Sequence, residues 1–159
     1  MDILLSAIGD VFTLQNMCFM SVAIFLGIIA GALPGFSATM AVALMVPFTF
    51  TMDTIPGLVT IGALYASTIF GGAFSAILLN TPGTPSSIAT CFDGYPMARN
   101  GRGEEALYTA SVASSFGGVI GTVILILFAV PLAKVSLRFG PPEFFWMAVF
   151  GLTIIASLS

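Results

Sequence analysis

The sequence predicts an all-α fold: a polytopic membrane helix bundle with broken or re-entrant helices. Three observations carry this reading. The 159 residues are 58% hydrophobic and 7% charged, with a mean hydropathy of +1.10, whereas a soluble domain carries about 25% charged residues. The few charges are separated by uncharged stretches of roughly 28 to 42 residues, and a bilayer core needs about 20 apolar residues per crossing. Two of those stretches are interrupted by proline and glycine, at Leu33-Pro34-Gly35-Phe36-Ser37 and at Asn80-Thr81-Pro82-Gly83-Thr84-Pro85-Ser86-Ser87. Hydrocarbon offers no hydrogen bonds to unwound backbone. Such an interruption persists at membrane depth only where protein buries it or where it lines a polar cavity.

The elements follow in order. Residues 2–15 place Ile3, Leu4, Ile8, Val11 and Phe12 against Asp2, Ser6, Asp10 and Gln15 at helical spacing, which predicts a short interfacial helix. Residues 16–33 are continuously apolar and form a first span that stops at Pro34-Gly35. Within it Gly27 and Gly31 recur one turn apart, a small-residue row that lets helices approach closely; Gly35 continues the spacing but belongs to the break. Residues 38–50 are too short to span alone and read as half of a broken helix or a re-entrant arm. Asp53 and Pro56 mark a turn at an interface. Residues 57–79 form a full-length span with a close-packing point at Gly71-Gly72.

Residues 86–92 form another short apolar piece. Asp93-Gly94-Tyr95-Pro96 then reads as a turn, with Asp-Gly supplying the positive-φ position and Pro96 blocking helix continuation. Residues 93–105 are the main polar loop. Residues 106–133 are long enough to cross with tilt, and Gly117 and Gly121 mark a second small-residue face. A second polar loop runs from Lys134 to Glu143. The last tract, 143–159, opens on Phe144-Phe145-Trp146, an aromatic cluster suited to the headgroup level.

Composition excludes several functions. The net charge of −3 without a basic cluster argues against nucleic-acid binding. There is no histidine, so zinc ligation and histidine general-base catalysis have little material. No charged residue lies deep in a span, so the intramembrane carboxylate of a proton relay is not found. Asp53 reads as a boundary residue. Arg99, Arg102, Glu104 and Glu105 read as a solvated loop and a helix start, the two glutamates complementing the helix dipole. Cys18 and Cys91 sit in apolar surroundings and read as small hydrophobes rather than a disulfide. The opening stretch lacks the basic region of an export leader, so the first spans are expected in the mature protein. The final residues end inside an apolar segment, as part of a longer chain would. The two loops carry equal positive charge, and the orientation stays open.

The candidate site lies at the breaks. After each break a new helix begins, and its first N–H groups have no intrahelical partner and carry the positive end of the dipole. Such ends bind anions. The residues concerned are Pro34, Gly35, Ser37 and Thr39 at the first break, and Asn80, Thr81, Pro82, Gly83, Thr84 and Ser86 at the second. If the two breaks meet, their N–H, hydroxyl and amide groups form a donor-lined pocket for a carboxylate or another small oxyanion, and unwound carbonyls opposite would hold Na+. The plainer reading is that the hydroxyls only satisfy backbone groups freed by proline. Ser87 extends the hydroxyl run of the second break.

Several segments resemble the large transmembrane subunit of the tripartite tricarboxylate transporter family. They are Gly31-Ala32-Leu33-Pro34-Gly35, Ala38-Thr39-Met40 onward to Pro47-Phe48-Thr49-Phe50, Leu78-Leu79-Asn80-Thr81-Pro82-Gly83-Thr84-Pro85, Asp93-Gly94-Tyr95-Pro96-Met97-Ala98 and Phe139-Gly140-Pro141-Pro142-Glu143. The resemblance implies a multi-pass permease of the bacterial cell inner membrane, part of an ion-gradient-driven uptake system for tricarboxylates or other small carboxylates. It implies a periplasmic solute-binding protein and a small membrane subunit as partners, no cofactor, coupling to Na+ or H+, and no enzyme activity. Family members are several times longer, so the chain corresponds to an N-terminal part. The rival reading is a structural or assembly membrane subunit that transports nothing. A membrane-embedded enzyme is a weaker third, since no nucleophile–base pair or metal cluster falls in the spans.

Overall fold

The computed structural model describes residues 8–137 and 139–158, and among them every regular element is helical. Helix α1 runs Leu14–Ala32, α2 Ala38–Thr49 and α3 Thr54–Leu79. A 3-10 turn, Pro85–Ser87, leads into α4, Ile88–Met97. A π turn, Ala98–Arg102, joins α4 to α5, Gly103–Ser136, and α6 runs Pro141–Leu158. Helices α1 and α3 and the helical run Pro85–Ser136 are long and apolar enough to cross a membrane. The all-α, membrane-type architecture expected from composition is therefore present. The chain divides into two units, Met1–Ser114 and Ser115–Ser159.

The N-terminal interfacial helix expected over 2–15 lies partly outside the described residues. Residues 8–11 are helical, and the chain leaves the helix at 12–13 before α1 begins. Thr13 caps α1, its Oγ1 accepting from the Asn16 N–H at 3.3 Å. Asn16 is buried and its Nδ2 donates to the Asp10 carbonyl at 2.7 Å, but its Oδ1 has no partner among the described residues. A buried acceptor left unmade costs about 1–3 kcal/mol.

In the first unit the interior is rich in small and hydroxyl residues, with Leu64 and Ile77 as its large apolar members, and most other large apolar side chains face outward. Thr60, Ser67, Thr68 and Ser75 are buried, while Phe25, Leu44, Leu58 and Leu79 are exposed. That distribution suits lipid, which is as apolar as leucine and gives helices no hydrophobic reason to hide it. Helices α1 and α3 form the principal pair. Backbones meet because the contact positions lack bulk. A side chain at Gly27 would collide with Ser67, and one at Gly31 with the Thr68 carbonyl group and the Gly71 Cα. The small-residue row read at Gly27 and Gly31 thus lies against α3, and Gly71 supplies the matching hollow.

The buried hydroxyls bond back to carbonyls of their own helix. Thr60 donates to Pro56 at 2.7 Å, Ser67 to Ala63 at 2.6 Å and Thr68 to Leu64 at 2.7 Å. This satisfies them without water. Helix α2 packs against both members of the pair. Ala41, Ala23 and Leu64 form a shared apolar cluster, with Phe36 and Met45 against it. A second cluster joins α3 to the start of α5 through Ala73, Ile77 and Ala106, with Met97 at the end of α4 packed against it.

The turn expected at Asp93-Gly94-Tyr95-Pro96 is not there. All four residues lie in α4, with Pro96 inside the helix, and much of the expected polar loop 93–105 is helical. Gly94 serves close approach rather than a positive φ: a Cβ there would stand 2.7 Å from Ile77 Cγ1. The left-handed position is Gly101, at φ +79, in the π turn. Just beyond it Arg102, the last residue of the π turn, pairs with Glu105 in the first turn of α5, an exposed ion pair.

Around Gly117, Gly118 and Gly121 nothing lies within 4 Å of where a Cβ would stand. The small-residue face expected there has no packing partner among the described residues. In the second unit α6 starts at Pro141, and the Gly140 N–H donates to Glu143 Oε2 at 2.7 Å. That closes the helix start in the manner of a capping carboxylate.

Candidate functional site

The first break is built by termination and restart. Leu33 leaves the helix in an extended conformation, with its N–H on the Ala30 carbonyl at 3.2 Å. Gly35 sits at φ +85 with open space around it, so its conformation, not crowding, requires glycine. Ser37 then caps α2, its Oγ accepting from the Met40 N–H at 3.2 Å. A hydroxyl that accepts in this way still has its own O–H to give.

The second break begins at Asn80, the one described non-glycine residue with positive φ, at φ 55 and ψ 25. Asn tolerates this left-handed conformation better than other side-chain-bearing residues. Its N–H donates to the Ser75 carbonyl, and so does that of Thr81 at 3.4 Å. The chain then tucks under α3. Gly83 is buried: a side chain on it would meet the Gly31 carbonyl oxygen, Ser75 Oγ at 2.9 Å and Gly72 Cα at 3.0 Å. Gly72 in turn makes room for Thr84, whose Oγ1 lies 2.7 Å from where a Gly72 Cβ would stand.

The hydroxyls after this break close on one another. Ser87 Oγ donates to the Thr84 carbonyl at 2.8 Å and accepts from the Thr84 N–H at 3.2 Å. Thr84 Oγ1 and Ser86 Oγ share a hydrogen bond of 3.0 Å. Thr84 and Ser87 are buried, and the pair forms a capping box ahead of α4.

The two breaks meet. A hollow of about 350 Å³ is lined by Gly35 and Ser37 from the first and by Pro82, Gly83, Thr84 and Pro85 from the second, with Ile88 of α4. That size is within the range of small-molecule pockets, about 300–1,000 Å³. Its walls are chiefly apolar. Of the candidate residues, Gly35, Ser37, Pro82, Gly83 and Thr84 are brought together. Pro34, Thr39, Asn80, Thr81 and Ser86 are exposed and do not line the hollow. Asn80 shapes the helix end rather than facing the cavity. Pro85 and Ile88 were not among the candidates; Pro85 lay inside the motif, whereas Ile88 carries no sequence signal. No group of three or more His, Cys, Asp or Glu that would hold a metal occurs among the described residues, and both cysteines are free.

The model of the tripartite tricarboxylate transporter TctA family matches residues 17–159. The chain belongs to the TctA family. It is 42% identical over 144 residues to an Agrobacterium vitis protein described as an uncharacterized 52.8 kDa protein in the TAR-I ttuC' 3'region. The match covers 91% of this chain and 29% of that protein, so the chain spans under a third of the length of the curated relative it matches. No solved structure matches it. Both breaks of this TctA-family chain lie within the matched residues, as do its three helical segments long and apolar enough to cross a membrane, apart from the first residues of α1.

Proposed function

We propose that the chain forms the N-terminal part of the large permease subunit of an ion-gradient-driven uptake system for tricarboxylates or other small carboxylates. It would lie in the bacterial inner membrane, with a small membrane subunit and a periplasmic solute-binding protein as partners and Na+ or H+ as the coupling ion. The observation that carries this reading is the shared hollow. Two interrupted helices from separate parts of the sequence turn their glycines and a helix-capping serine toward one space. Interrupted helices that converge in this way are the usual sign of a transporter's binding region.

Within this reading Gly35, Ser37, Gly83 and Thr84 face the substrate. The N-terminal turn of α2 provides N–H groups and positive dipole end, and Ser37 an O–H. Pro82 and Pro85 fix the loop and carry no N–H of their own. Pro34, Thr39, Asn80, Thr81 and Ser86 hold the helix ends in place around it.

The apolar walls and the self-satisfied Thr84–Ser87 pair favour a second reading, in which the breaks only join helices and the chain is a non-transporting structural subunit. Carboxylate uptake by the full-length subunit with its partners separates the two. On the first reading Ser37→Ala and Thr84→Val raise the apparent KM for the carboxylate at normal membrane abundance. Unchanged uptake in both, with abundance also unchanged, removes the breaks as the substrate site and leaves them as joints between helices.

A further inference from the structure

We infer that Ile88 is a specificity-determining residue of the hollow between the two breaks, where it limits the size of the apolar substituent that a small carboxylate can carry in. The inference rests on the permease reading and deepens it by naming what bounds the substrate.

Ile88 is the largest side chain that lines the hollow. Its neighbours there are Gly35, Ser37, Pro82, Gly83, Thr84 and Pro85. Glycine has no side chain, serine and threonine are short, and each proline ring is tied back to its own nitrogen. The free space therefore depends chiefly on one aliphatic group. Ile88 is 50% exposed and belongs to neither buried apolar cluster, so shortening it opens no cavity in the core.

The backbone holds this side chain in place. Just before it, Ser87 Oγ donates to the Thr84 carbonyl at 2.8 Å and accepts from the Thr84 N–H at 3.2 Å. The Ile88 N–H donates to the Pro85 carbonyl, and α4 starts at this residue. Branching at Cβ restricts χ1, which makes the side chain a stiff wall rather than a yielding one. The hollow, about 350 Å³, lies near the small end of the range for small-molecule sites, about 300–1,000 Å³. In so small a space a few carbon atoms decide the fit. One methylene in an apolar pocket is worth about tenfold or more in discrimination. The chiefly apolar walls suit the carbon skeleton of the ligand, and its carboxylate is left to Ser37 and the N-terminus of α2.

The test uses the purified full-length subunit in lipid nanodiscs, without its partners, so that no other protein selects the ligand. Apparent affinities come from the rise in unfolding midpoint with ligand concentration. The probes are citrate, succinate and 2-benzylsuccinate, the last differing from succinate only by an apolar substituent. The readout is the preference for succinate over 2-benzylsuccinate, which a purely structural role does not move. That preference is expected to fall about tenfold or more in Ile88→Ala, and by a smaller factor in Ile88→Val. Valine keeps the branch at Cβ and carries the test should alanine weaken the fold. An unchanged preference in both variants, an equal loss of both succinates, or no preference in the wild-type protein overturns the proposal and leaves the permease reading in place. No rise with succinate also overturns it; a rise with citrate then keeps the permease reading, and no rise with either acid overturns both.

Discussion

The carbonyl oxygen of Gly31 occupies the place that a Gly83 side chain would need. Gly31 is in the last turn of α1 and Gly83 is in the second break, so this contact seats one interruption against the helix that leads into the other. Gly72 and Ser75 complete the seat from α3. The shared hollow follows from this seating.

Two glycines near the hollow are required for different reasons, and substitutions separate them. Gly83→Ala must displace backbone on two sides and is expected to destabilise by about 1–3 kcal/mol, the cost of overpacking. Gly35→Ala meets open space but must hold φ +85, at about 1–2 kcal/mol for a left-handed alanine. Gly62→Ala, with nothing within 4 Å in the interior of α3, is expected to be neutral or stabilising by about 0.5–1 kcal/mol. Thermal unfolding of the full-length protein in nanodiscs checks all three.

At the end of α3, Asn80 is expected to act through its backbone. Asn80→Gly adopts the same φ and keeps both stability and carboxylate uptake. Asn80→Val is β-branched, resists φ 55, and is expected to lose about 1–3 kcal/mol. Uptake assays on Asn80→Gly settle the point, because an amide that contacts substrate would make that variant lose affinity.

At the α1–α3 contact, Ser67 matters for its size. Its hydroxyl is satisfied by the Ala63 and Leu64 carbonyls of its own helix, so Ser67→Ala removes a donor without orphaning a partner and is expected to change stability by under about 1 kcal/mol. Ser67→Leu drives a branched side chain into Gly27, and folded protein recovered from membranes is expected to fall sharply. Comparing monodisperse yield and unfolding midpoint for the two variants checks this.

Gly94 distinguishes a helix from a turn. In the helix it gives way to Ile77, so Gly94→Asn is expected to destabilise by about 1–3 kcal/mol through overpacking. In an Asp-Gly turn the same change would be mild, because Asn tolerates positive φ. The opposite pattern is expected at Gly101, which has open space and φ +79, where Gly101→Asn is tolerated.

Much of this was legible in the residues. The charge-free tracts and the proline-glycine interruptions mark where helices run and where they stop. The Gly27–Gly31 row announces a close contact because only missing side chains let two backbones meet. Other features resisted reading for physical reasons. Asp93-Gly94-Tyr95-Pro96 has the composition of a turn, but a glycine pressed against Ile77 and a proline inside a helix look the same in sequence as turn residues. Asn80 reads as an amide donor, and only its φ reveals a helix terminator. The hydroxyls after the second break signal polarity without saying that Thr84 and Ser87 satisfy each other. Pairing of the two breaks depends on which glycine lies under which carbonyl, and that is a tertiary fact.

The convergence of the breaks is tested most directly by cross-linking Ser37→Cys to Pro85→Cys in the full-length subunit, with Cys18 and Cys91 replaced by alanine. Both positions line the one hollow, so a short bifunctional thiol reagent is expected to join them in membranes, and saturating carboxylate substrate is expected to block the reaction. Single cysteines that each react readily but never cross-link would contradict the shared hollow.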